Sequence, residues 1–260
     1  KIYGDEFELY SSDKITSVLG WLKTSMLSWK LLLFHARLVK QHQDQLITAD
    51  ESKTADIDVT GVKSFSSKKE GAEVGFNRKY RGKPCFQLSA SFIGRVFVDA
   101  KLFAGHCNPK DFFKKSVKRI IALGFAIEVV RADSAYLTQE NLLLLQKLSL
   151  GYAIGAPSTF NAVKEGKQLF KKLALKKHRS IVSVAKGVSV LDLGKVSIHG
   201  IDTRIVIVRR IQRRKNKKTG KWKIKTYFYA IATNLSYSAQ KVYVFYHKRQ
   251  CIEIYQPCCL

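Results

Sequence analysis

The run FAIEVVRADSAYLTQENLLLLQKLSLGYAIGA, residues 125–156, decides how the chain is read. FAIEVVRAD (125–133) has the apolar, β-branched character of a strand buried on both faces. TQENLLLLQKL (138–148) reads as a capped helix and GYAIGA (151–156) as a short strand. Strand, helix, strand at this spacing is a crossover unit, since parallel neighbours need a long connection. Binding sites in open α/β sheets lie outside the carboxyl ends of such strands, where Asp133 stands.

Working outward from it, TADIDVTGV (54–62), KPCFQLSASF (83–92) and RVFVDAKLFAG (95–105) read as strands, the last two joined tightly at Ile93-Gly94. NPKDFFKKSVKRIIALG (108–124) carries a helix signature with Gly124 as its stop. Hairpin-like connections first and helical ones later predict a mixed sheet flanked by helices. Residues 12–45 look helical, with Ser12 and Asp13 as caps and a second apolar run of Leu27, Leu31, Phe34 and Leu38. Beyond Ala156 come a basic helix near 158–174, strands SIVSV (180–184), KVSIHG (195–200), TRIVIVRRI (203–211) and WKIKTYFYAIAT (222–233), and a final helix over 238–255. The expected organisation is a helical segment 1–50, a core 51–157, a β-rich basic insertion 158–237, and the last core helix in 238–260. Lys1 as first residue, Met26 as the only methionine and the ending QPCCL read as a fragment or truncated copy.

The 260 residues, 46% of them hydrophobic, suit one globular domain with an insertion. No span reads as transmembrane, because Lys23 and Lys30 interrupt the most apolar stretch. The five cysteines make no C-x-x-C pair, so a structural zinc or disulfide framework is not expected, and the chain reads as cytoplasmic. Charge is the outlier: 46 Lys plus Arg against 20 Asp plus Glu, a net of +26. Residues 1–60 hold seven bases and nine acids, so residues 61–260 hold 46 − 7 = 39 bases and 20 − 9 = 11 acids. Such an excess points to a polyanionic partner, nucleic acid before a membrane surface.

The few acids are therefore informative. Asp58 sits mid-strand between apolar neighbours, where a charge is costly unless paired or metal-bound. Asp56, two residues earlier on the same strand face, competes with it for any such role. Asp133 ends a buried strand, and could equally begin the turn before the next helix. Glu253 shares a helical face with Tyr246 and Arg249, or is an ordinary surface acid. Converging carboxylates repel unless cations hold them, and hard divalent ions such as Mg²⁺ take oxygen ligands.

DIDVT (56–60), EGAEVGFNRKYRGK (70–83), VVRADSAYL (129–137), AIATNL (230–235) and YHKRQCIE (246–253) stand in an order that resembles the DDE transposases of bacterial insertion sequences. The last string fits Y-x2-R-x3-E, the signature of the IS-four kind, and the similarity covers about 54–256. The resemblance implies an RNase H-like core with a β-rich insertion before the last catalytic helix. It also implies Mg²⁺-dependent cleavage at transposon ends, with Mn²⁺ as a substitute, and joining to target DNA. By position, Asp58, Asp133 and Glu253 would be the catalytic metal ligands, the Asp-x-Thr context favouring Asp58 over Asp56. Tyr246 and Arg249 would contact DNA phosphate, a homodimer would form on DNA, and the setting would be the bacterial nucleoid. The extended signature has Lys seven positions after the Glu, where this chain has Leu260.

RRIQRRKNKKTGKWKIK (209–225) has ten Lys or Arg in seventeen residues around a turn at Lys218-Thr219-Gly220. It reads as a basic β-hairpin able to track phosphates, with Arg213, Arg214, Lys217, Lys218 and Lys221 as DNA contacts. Trp222 at its base either packs in the core, the commoner place for tryptophan, or stacks on an unpaired base. Two rivals to a transposase are a DNA-binding remnant with a lost active site and an RNase H-like nuclease.

Overall fold

The computed structural model describes residues 25–64, 69–75, 81–94, 96–108, 110–215, 220 and 222–249. Helix α1 (Ser25–Gln41) and the single turn α2 (Gln43–Leu46) lead into strand β1 (Thr54–Lys63). Then follow β2 (Glu73–Val74), β3 (Pro84–Ile93), β4 (Val96–Ala104), helix α3 (Lys110–Ala122) and β5 (Val129–Ala132). Next come a 3-10 turn (Ser134–Tyr136), α4 (Gln139–Lys147), β6 (Gly151–Ala156) and α5 (Asn161–Leu175). Strands β7 (Ile181–Ala185), β8 (Val188–Ile198), β9 (Ile201–Lys215) and β10 (Trp222–Thr233) precede the last helix, α6 (Ala239–His247).

One mixed sheet carries all ten strands, in the order β2-β3-β1-β5-β6-β10-β9-β8-β7, with β4 also on β3. β1, β5 and β6 are mutually parallel neighbours, while β3 runs antiparallel to β1. This is the RNase H-like mixed sheet that the resemblance implies, flanked by helices. The β-rich segment does not stand apart: β10 pairs antiparallel with β6, Ala230 opposite Ala156, and extends the same sheet.

Alternation across the pleat separates two faces. Ala55 and Ile57 of β1, Val130 and Ala132 of β5, and Ile154 of β6 join helices α1, α3, α4 and α5 in the larger core. Ala153, Val206, Val208 and Ile231 form the smaller core on the opposite face, beneath Val242 and Tyr246 of α6. Gly94 makes the β3–β4 turn at φ +61°, a left-handed backbone that L-residues rarely adopt.

Four expectations need correction. Strand β5 begins at Val129, because Phe125–Ile127 still turn away from α3, with the Phe125 amide on the Ile120 carbonyl. The N-terminal helix breaks at His42, and among its described side chains the buried ones are Ala36 and Val39, while Leu31, Phe34 and Leu38 face outward. Ser12 and Asp13 lie outside the described residues. Strand β8 starts at Val188 rather than Lys195, pairing with β9 through a register shift between Asp192 and Lys195. Helix α6 ends at His247, where the Arg249 amide bonds the Tyr246 carbonyl in a tighter closing turn, and residues 250–255 of the expected helix lie outside the described residues.

Ile154 is fully buried mid-sheet between β5 and β10. Ile154→Ala should lower unfolding free energy by about 2–5 kcal/mol, from lost apolar burial plus a cavity. A urea titration reads this directly, with an unchanged slope marking a pure stability effect.

Candidate active site

In the parallel β1–β5 ladder Asp56 lies beside Arg131 and Ile57 beside Ala132. The next step of that register brings Asp58 beside Asp133, on strands about 4.8 Å apart. Asp133 thus stands just past the carboxyl end of β5, with Asp58 beside it midway along the longer β1, both on the face covered by α6. Asp133 is exposed and accepts a hydrogen bond from the Ser134 amide at 2.6 Å, capping the 3-10 turn. It caps the turn and still presents its carboxylate at the edge. Asp58 is partly buried, with Arg249 Nη1 3.7 Å from its Oδ1.

Asp56, the competitor on the same face, is committed elsewhere. It is 1% exposed and receives Arg131 Nε at 2.7 Å and Nη2 at 2.6 Å. Burial pushes its carboxyl up to about 6, against the opposing pull of Arg131. The remaining acids show how scarce an uncommitted carboxylate is. Asp99 is held by Arg119, Asp192 by Arg204 and Glu128 by Lys53. Asp133 makes no ion pair among the described residues.

Tyr136 closes the site from below. Its ring packs near Phe113, with centroids 5.3 Å apart, and its buried hydroxyl has no hydrogen-bond partner among the described residues. Burial raises its pKa, and the charges of Asp58 and then Asp133 raise it further, so the phenol remains protonated. An unpartnered buried hydroxyl in the field of two carboxylates suits a site completed by a hydrated cation. Asp58 and Asp133 supply the hard oxygen donors that Mg²⁺ or Mn²⁺ prefers. The third expected carboxylate, Glu253, lies outside the described residues, and no group of three His, Cys, Asp or Glu gathers among the described ones.

Tyr246 and Arg249 come together over this edge, with the guanidinium 5.6 Å from the tyrosine ring. Gly155 makes room for Tyr246 and for the turn at Ser134: a Cβ there would lie 2.9 Å from Tyr246 Oη and 3.1 Å from the Ser134 nitrogen. A cleft of about 280 Å³ opens between Asp133, Gly155, Tyr246, His247, Arg249 and Arg210 of β9. Across it Tyr229 of β10 and His247 share a hydrogen bond of 2.5 Å. Strands β9 and β10 thus form one wall of the cleft.

Sequence reasoning did not single out Tyr136, Arg131, Arg210, Tyr229 or His247. Arg131 carried the same signal as Asp58, a charge inside an apolar strand. On the hairpin, β9 and β10 pair from Arg204–Thr233 out to Lys215–Trp222. Trp222 is not in the core: it is 56% exposed, with Arg213 4.9 Å from its ring. Arg214 belongs to β9, but its side chain, like Lys217, Lys218 and Lys221, is outside the described residues.

The family model of the transposase DDE domain matches residues 50–256. The chain belongs to the DDE transposase family. Similar solved structures include the piggyBac transposase synaptic complex with hairpin DNA, 12% identical at TM-score 0.40, covering 80% of this chain and 40% of that one. The Mos1 strand transfer complex is 10% identical at TM-score 0.28, covering 68% of each chain. The Drosophila P element transposase strand transfer complex is 9% identical at TM-score 0.22, covering 76% of this chain and 48% of that one. This DDE domain therefore spans less than half the length of the first of these. No curated protein compared with the chain matches it. Among the described residues, no helix of the DDE domain is long and apolar enough to cross a membrane.

The close approach at Gly155 is testable in this DDE domain. Gly155→Ala should destabilise by about 1–3 kcal/mol through overpacking. In a Tyr246→Phe background, where the nearest atom is gone, the same change should cost measurably less. A double-mutant denaturation cycle decides it: equal costs in both backgrounds would contradict the contact.

Proposed function

We propose that this DDE domain cuts DNA phosphodiesters at transposon ends and transfers the freed strand to target DNA, with Asp58, Asp133 and Glu253 holding Mg²⁺ or Mn²⁺. The observation that carries the reading is the placement of Asp58, midway along β1, beside Asp133, just past the end of β5, beneath Arg249 and Tyr246. A pair of bound ions would supply activation of the attacking oxygen and charge stabilisation at the leaving oxygen.

The chain's own groups position the substrate. Arg249 and Arg210 face the cleft from core and insertion, fitted to grip a phosphodiester from two sides. Tyr136, kept neutral, adds no charge beside the acids. In cleavage, water forms the new bond to phosphorus and a 3′-hydroxyl leaves. In transfer, that hydroxyl attacks a target phosphodiester and displaces another 3′-oxygen, so the number of phosphodiesters is conserved. The exposed pair Arg213 and Trp222 suits a backbone phosphate and an unpaired base, respectively. We place the domain boundaries of this unit at 51–157 and 238–260 for the core and 158–237 for the insertion, acting as a homodimer on DNA in a bacterial cytoplasm at the nucleoid.

Nicking of supercoiled plasmid carrying the transposon ends tests the reading. Wild type should nick with Mg²⁺ or Mn²⁺, while Asp58→Asn and Asp133→Asn should lose about 1,000-fold or more in rate and still bind DNA. Nicking that survives both substitutions would refute the assignment, and cutting without regard to terminal repeats would favour a general nuclease. Binding without any cutting would favour a remnant.

Affinity should fall steeply with salt, and Arg213→Ala should reduce the log–log salt slope by about 1. Trp222→Ala should weaken single-strand binding by about 1–3 kcal/mol. A filter-binding series over salt concentration measures both.

A further inference from the structure

Arg131 is wholly buried, and all five of its N–H donors are engaged. Nε and Nη2 reach the two oxygens of Asp56, at 2.7 and 2.6 Å. Nη2 also reaches Glu51 Oε2 at 2.5 Å, and Nη1 reaches Glu51 Oε1 at 3.3 Å. The remaining donor of Nη1 bonds the main-chain carbonyl of Phe245 at 2.9 Å, and the guanidinium lies 4.8 Å from the Phe245 ring.

Phe245 lies in the last turn of α6, immediately before Tyr246. The final carbonyls of a helix have no partner within it, and a cation there is favourable. Arg131 meets one of them from beneath the sheet face. Lys248 then extends the chain of charges, contacting Glu51 at 3.1 Å and Asp50 at 2.5 Å. From Asp50 through Lys248, Glu51 and Arg131 to Asp56, acids and bases alternate without a break. The turn before β1, the edge of β5 and the end of α6 are thereby tied to one guanidinium.

We propose that Arg131 is a positioning residue: with Glu51 it fixes the last turn of α6, and so sets Tyr246 and Arg249 over Asp58 and Asp133. The catalytic consequence rests on the function proposed above; the clamp itself does not. Lysine cannot replace this fork, having three donors on one atom. A merely structural role would make activity follow stability, whereas a positioning role separates them. Glu51→Gln is the informative variant, since it keeps the shape and leaves the Arg131–Asp56 pair intact.

The experiment uses the full chain as wild type, Glu51→Gln and Arg131→Lys. Urea midpoint, DNA affinity, Mn²⁺-dependent nicking and amide hydrogen exchange are read on each. In Glu51→Gln the Lys248 and Arg249 amides, bonded to Val244 and Tyr246 carbonyls, should exchange about tenfold faster, while α3 and α4 do not change. The nicking kcat should fall about tenfold with KM for DNA little changed, and on the order of 100-fold in Arg131→Lys, as expected of a misplacement near 1 Å. Unchanged exchange at the end of α6, or acceleration shared equally by α3 and α4, would overturn the proposal. So would a rise in KM matching the fall in kcat/KM. If wild type does not nick, the proposed function fails, and the exchange measurement still decides the clamp.

Discussion

A guanidinium buried in the sheet, between two carboxylates and a helix carbonyl, is the constraint on which this site depends. Taking such charges from water is costly, and attraction offsets the cost only where geometry is good and every donor is used. Arg131 meets that condition with Asp56, Glu51 and Phe245. Helix α6 is held at its other end by a second arginine, since Arg204 donates to the Leu235 and Tyr237 carbonyls while paired with Asp192. Two arginines, one from β5 and one from β9, thus anchor the approach and the exit of the helix carrying Tyr246.

This gives the uneven charge a structural meaning. The acidic stretch Asp50, Glu51, Asp56 and Asp58 meets Arg131, Lys248 and Arg249. Neutralising that cluster leaves the excess of bases on the surface, available to phosphate. It also divides the work of two acids on one strand face. Asp56 points into the sealed network, and Asp58, one pleat further along β1, meets Arg249, a residue of the cleft. A strand alternates its side chains strictly, so the same periodicity that made them rivals makes them neighbours with different partners.

Much of this was legible in the sequence. Asp133 at the end of an apolar run, the capped helix after it and the hairpin at Gly94 follow from local patterns, and all three appear in the fold. Strand order was not legible, because nothing local tells β10 to pair with β6 and carry the insertion into the core sheet. The end of α6 was misjudged for a tertiary reason: helical spacing continues past His247, but its last turn closes tightly where Arg131 takes the Phe245 carbonyl. Trp222 stayed open between two places because composition cannot distinguish a core tryptophan from one on an extended hairpin arm. Arg131 itself carried a readable signal, a charge inside VVRAD, whose partners were 75 and 114 residues away.

In the proposed function the carboxylates of Asp58 and Asp133 share divalent cations in the DNA complex. Iron(II) loaded in place of Mg²⁺, with peroxide and ascorbate, cuts a polypeptide beside the bound metal. Cuts are expected in the DNA-bound chain next to residues 58 and 133, suppressed by excess Mg²⁺ and lost in the Asp58→Asn, Asp133→Asn double variant. Cuts mapping elsewhere, or persisting unchanged in that variant, would contradict it.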